Sequence, residues 1–127
     1  MRAYVDTSCI VSVALRERGS AAVLRRLAQC DTLLAGGLLE AELMAVLRRE
    51  GVAAASPAIL ERVDWVLPDR HLRPEIAQVL AAGYLRGADC WHLATALYLA
   101  GDDPSSLTFL TLDERQADVA SKLGFAA

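Results

Sequence analysis

The chain has 127 residues, 54% of them hydrophobic, and 13 basic against 16 acidic residues give a net charge of −3. That length holds one domain, residues 1–127, with a sizeable core, and that hydrophobic share excludes a disordered chain. The charge balance excludes recognition of nucleic acid through a strongly basic surface alone.

Three cysteines at irregular spacing, Cys9, Cys30 and Cys90, argue against a disulfide framework or a zinc site and are expected as small core residues. No charge-free apolar stretch reaches the roughly 18 residues that a membrane span needs. The N-terminus runs straight into a strand-like segment with no secretory signal, so a cytoplasmic protein is expected.

Residues 2–6 are expected to form a short strand, followed by a helix from about residue 8 to 15. Ser20 is a plausible N-cap for a helix over residues 21–28. The apolar run 32–35, between Asp31 and Gly36-Gly37, suggests a buried strand, and a long helix follows over 38–50 until Gly51 stops it. Ser56-Pro57 predicts another helix start, running to about Asp64, with a strand at 65–67. Helices are expected from Pro74 to Gly83, over 88–100, and over 114–123 until Gly124. Strands are expected at 108–111 and at the terminal residues 125–127. Short apolar strands alternating with helices predict an α/β fold, a parallel sheet covered on both faces.

Four acids stand in or beside sequence that should be buried: Asp6, Glu42, Asp89 and Asp113. A buried carboxylate is costly unless it is paired, protonated or neutralised by a cation. Asp6 and Asp113 both follow expected strands, and open α/β sheets bind ligands beyond the carboxyl ends of their strands. Each acid also has a plainer reading. Asp6 could cap the next helix, Asp89 could be a first-turn acid, and Asp113-Glu114-Arg115-Gln116 fits a capping box.

Glu42 is the sharper case, because Leu38, Leu39, Ala45 and Val46, its helical neighbours, are all apolar. Glu40 competes with it but lies about 200° away around the helix, so the two cannot share a site. His92 shares a face with Asp89, as a structural residue more readily than as a ligand. The grouping predicts a site for a hard divalent cation held by oxygen.

Taken together, Val5-Asp6-Thr7-Ser8, Glu42 followed by Leu47-Arg48-Arg49, the segment 86–96 with His92-Leu93-Ala94 inside it, and Thr111-Leu112-Asp113 make a pattern. The chain resembles the PIN-domain ribonucleases, and within them the VapC-like toxins of bacterial toxin–antitoxin pairs. The resemblance spans almost the whole chain and says least between Glu50 and Pro74. It implies a three-layer fold with a sheet of about five strands, Mg2+ or Mn2+ as cofactor, cleavage of RNA phosphodiester bonds, a homodimer and a cognate antitoxin. It places the family's acids at Asp6, Glu42, Asp89 and Asp113.

Asp6 and Asp89 are then expected as primary metal ligands, Asp113 as completing the sphere, and Glu42 as a ligand or a water-orienting base. Ser8 and Thr111 are expected as supporting hydroxyls, with Ser8 or Thr7 orienting Asp6 or holding a metal-bound water. Arg86 has three equal readings: phosphate contact, brace for the acids, or packing. The rival readings are weaker. An aspartate-based phosphatase would want a second aspartate where Ser8 stands. A receiver-type domain needs an acidic pair near the first strand end. A PIN-like binding module that cuts nothing is the alternative left open.

Overall fold

A computed structural model describes residues 1–127. Four parallel strands, β1 (Arg2–Val5), β2 (Thr32–Gly36), β3 (Val63–Val66) and β4 (Thr108–Leu110), form one sheet in the order β3-β2-β1-β4. Helices α1 (Thr7–Ala14), α2 (Ser20–Ala28) and α3 (Gly37–Arg49) connect the first three strands. Helices α4 (Arg73–Ala82) and α5 (Gly87–Ala100) carry the chain from β3 to β4, and α6 (Glu114–Leu123) follows.

The strand pleat separates two cores. In β1, Ala3 and Val5 face Cys9, Ile10, Leu27, Leu39 and Leu43 from α1–α3. Tyr4 faces the other way, into Leu93, Leu97, Phe109 and Val119 from α5, β4 and α6. Helix α5 is buried along most of its length, from Cys90 to Leu97, because it is apolar nearly all round. The result is the three-layer α/β architecture expected, with helices on both faces of the sheet.

The strand count differs from the expectation of five. The terminal segment pairs only through Ala126, which bridges to Thr108, while Phe125 packs against Phe109. The expected helix over 57–64 is instead a 3-10 turn, Ala58–Arg62, with no buried residue. Val63 is drawn into the sheet by its pairing with Leu33, so the strand starts two residues early and leaves Leu67 82% exposed. Ser20 is the first helical residue rather than the cap; Gly19 holds the cap position at φ 85°, in the left-handed region that favours glycine.

This topology fixes where a site can lie. The chain winds from β1 to β2 to β3 in one direction, then returns to place β4 on the other side of β1. The winding order of the parallel strands therefore reverses between β1 and β4, where the loops leaving the two strands diverge and open a crevice. Asp6 follows β1 directly and Thr111 follows β4 directly.

Candidate active site at the carboxyl edge of the sheet

Asp6 is 4% exposed and sits at the N-cap of α1, its carboxylate accepting from the Ser8 N–H at 3.1 Å. The capping role and the site position thus coincide in one side chain. Its Oδ2 also lies 3.2 Å from the Thr111 hydroxyl, and its Oδ1 accepts from Gln116 Nε2 at 3.3 Å. No lysine or arginine pairs with it; the only basic group in reach is His92 Nε2, 3.8 Å away. A carboxylate that is buried among neutral donors keeps its charge at a cost, and a cation would relieve it.

Glu42 comes from α3 and is held by residues of two other elements. Its Oε1 accepts from the Thr7 hydroxyl at 2.8 Å and from His92 Nε2 at 2.7 Å. Its Oε2 has no protein partner, and the side chain is 32% exposed. One oxygen is therefore fixed and the other is left unbonded. Behind it, His92 is fully buried, with Nδ1 2.9 Å from the Tyr4 hydroxyl, which accepts from the Gly36 N–H at 3.1 Å. The Glu42 carboxylate can only accept, so His92 Nε2 donates to it, while burial pushes the Tyr4 phenol well above its ordinary pKa and keeps its proton on. The role of His92 is thus orientation of a carboxylate.

Asp89 lies in the first turn of α5, half-buried, and Asp113 is the exposed N-cap of α6. The Asp113 carboxylate accepts from the Gln116 N–H at 2.8 Å, so the helix cap expected there is formed. The capping box is not reciprocal, because the Gln116 side chain points to Asp6 and not back to the cap. Asp89 and Asp113 line a cleft of about 370 Å3 together with Leu85, Arg86 and Arg115. Arg86, exposed at the cap position of α5, makes no ion pair with any of the acids. Its guanidinium and that of Arg115 flank the same opening.

Electrostatics tie the four together. Burial first, and then the charges of Asp6, Asp113 and Glu42, raise the Asp89 carboxyl above its ordinary value, while His92 opposes the shift. Asp89 can feel all three others only because the fold has brought them to one edge. Ser8 and Thr111 stand 3.3 Å apart between β1 and β4, and the Ser8 hydroxyl also accepts from the Leu112 N–H. No three acidic, histidine or cysteine side chains are already drawn into a coordination sphere. The donor set is nevertheless all oxygen and mutually repelling, with no lysine or arginine paired to it, which suits a hard divalent cation.

Two residues of this network escaped the sequence reading, Tyr4 and Gln116, while Thr7, expected beside Asp6, donates instead to Glu42. Gln116 carried a usable signal, since it shares an α6 stripe with Val119, Ala120 and Leu123, a polar residue on an apolar face.

Comparison with known proteins agrees with this picture. A family model described as PIN domain matches residues 3–122. The chain is 34% identical over 125 residues to "Ribonuclease VapC46" of Mycobacterium tuberculosis, an alignment that covers 97% of this chain and 93% of that protein. The chain belongs to the PIN-domain family.

Proposed function

We propose that this protein, as one functional unit over residues 1–127, is a Mg2+- or Mn2+-dependent endoribonuclease. It hydrolyses RNA phosphodiester bonds as the toxin of a toxin–antitoxin pair, with a cognate antitoxin as its protein partner. The observation that carries the reading is the gathering of the four acids at one edge of the sheet: Asp6 and Glu42 both reach His92 Nε2, at 3.8 and 2.7 Å, and Asp89 and Asp113 line one cleft. The ribonuclease relative supports the choice of RNA as substrate.

Asp6, Asp89 and Asp113 are the residues that would hold the ion, with Glu42 as a further ligand or as the base that orients a water. A bound divalent cation would supply charge neutralisation at the scissile phosphate and favour hydroxide near neutral pH. The chain's own residues do the rest. Glu42 keeps its Oε2 unbonded while Thr7 and His92 hold Oε1. Arg86 and Arg115 line the cleft with Asp89 and Asp113, placed to receive flanking phosphates. The Ser8 and Thr111 hydroxyls bond to each other and to their neighbours, which leaves them supporting roles rather than nucleophilic ones.

Purified protein should cut RNA with Mn2+ or Mg2+ and stop on addition of EDTA. Saturating Mn2+ should also stabilise the fold, by roughly 2.7 kcal/mol at a concentration 100 times Kd. Cleavage that persists in EDTA would overturn the metal-dependent mechanism. Absence of cleavage with metal present, together with binding to a protein partner, would favour the non-cutting PIN-like module instead.

The proposed assembly is a homodimer. Leu80 and Tyr84 are 46% and 72% exposed, beside an apolar cleft of about 500 Å3 between α4 and α5 that contains none of the four acids. Sedimentation should report a dimer; a monomer at every concentration tested would remove this part of the proposal. No helix is long and apolar enough to cross a membrane.

A further inference from the structure

We infer that Gln116 is a positioning residue of this site: its buried side-chain amide ties the Asp6 carboxylate to the backbone of Asp89, and its main-chain N–H holds Asp113. The inference rests on the nuclease reading above and deepens it.

Gln116 is 0% exposed at the start of α6. Its Nε2 donates to Asp6 Oδ1 at 3.3 Å and to the Asp89 carbonyl at 3.2 Å. Its backbone N–H donates to Asp113 Oδ1 at 2.8 Å. The side chain thus spans from β4 and α6 to the end of β1 and the first turn of α5. One residue touches the acids' own framework at three points.

The direction of the amide is also fixed. The Thr111 hydroxyl lies 2.7 Å from Gln116 Oε1 and 3.2 Å from Asp6 Oδ2, and its single proton goes to the nearer acceptor. The Ser8 hydroxyl, 3.3 Å from Thr111 Oγ1 and itself accepting from Leu112 N–H, can donate in turn. A flipped amide would set Oε1 against both the Asp6 carboxylate and the Asp89 carbonyl, acceptor against acceptor. The hydroxyl pair therefore turns the two N–H groups toward Asp6 and Asp89. This gives Ser8 and Thr111 a specific task, since they orient the orienting residue.

Because Gln116 is fully buried, it cannot touch RNA, so its loss should act on the acids and not on substrate binding. Gln116→Met keeps the approximate size of the side chain and removes the amide. Mn2+ affinity measured by calorimetry should fall about tenfold or more and kcat about 10- to 100-fold, the scale expected when a partner of a metal ligand is removed. KM for RNA should stay within about twofold. A folded Gln116→Met protein with wild-type Mn2+ affinity and wild-type kcat overturns the inference. Should Gln116→Met fail to fold, Thr111→Val and Thr111→Ser decide it. The valine variant should lose Mn2+ affinity and kcat while the serine variant, which keeps the hydroxyl, retains both; a valine variant equal to wild type overturns it. Wild-type protein that neither binds Mn2+ nor cuts RNA would remove the nuclease reading and this inference together. Wild-type protein that does both, alongside variants that match it, removes this inference alone.

Discussion

Asp6→Asn should leave the protein folded and lower RNA cleavage by at least about a hundredfold, the scale on which one preorganised electrostatic contact acts. Asparagine is the informative choice because Asp6 has two functions. As the N-cap of α1 it accepts from the Ser8 N–H, and asparagine caps a helix about as well as aspartate. As a buried carboxylate it carries a charge with no lysine or arginine partner, only hydrogen bonds and His92 Nε2 at 3.8 Å. Asparagine keeps the first function and removes the second. Alanine removes both and adds a capping loss of about 0.5–2 kcal/mol, which would blur the result. Thermal unfolding in EDTA should show the asparagine variant as stable as wild type or more so, and added Mn2+ should stabilise it far less. An unfolded variant would make Asp6 a residue of the fold alone; undiminished cleavage would take it out of the site.

Asp89→Asn should pair a large loss of cleavage with a gain in apo stability. The Asp89 carboxyl is raised from 3.8 by burial and by Asp6, Asp113 and Glu42. The native state therefore keeps this proton to higher pH than the unfolded chain does. Between the ordinary carboxyl value and the raised native one, the native state binds more protons, so stability falls as pH rises through that window. Above it the penalty is complete and persists at neutral pH. Asparagine does not titrate, so its unfolding profile in EDTA should be flatter there and its midpoint higher at pH 7. Urea unfolding at a series of pH values reads both. A midpoint below wild type at pH 7 would show that the Asp89 charge is already compensated and would weaken the case for a crowded acidic site.

The two aspartates that follow strands were visible in the sequence because strand ends are local features. Asp6 ends an apolar run, Asp113 follows another, and the reversal rule for α/β sheets groups them. Glu42 was legible for a partly mistaken reason. Four apolar helical neighbours suggested burial, yet Ala45 is exposed and Leu38 and Val46 only half-buried. What holds Glu42 is Thr7 and His92, from 35 and 50 residues away, a contact that spacing along one helix cannot reveal. The stretch 57–64 was misread because a proline start signal and apolar residues fit a helix as well as they fit a turn entering an edge strand. Pairing with β2 decided the matter, and that is a tertiary preference. Gln116 was assigned to the cap of its own helix, and the sequence could not say that its side chain would reach across to Asp6.

Asp6 meets Thr111 and Gln116 across separations of 105 and 110 residues. During translation, the first acid leaves the ribosome long before the strand and helix that complete its surroundings. A nascent chain stopped after residue 106 would carry Asp6, Glu42 and Asp89 but none of Thr111, Asp113 and Gln116. The hydrogen bonds around Asp6 therefore close only once the last strand and helix have been made.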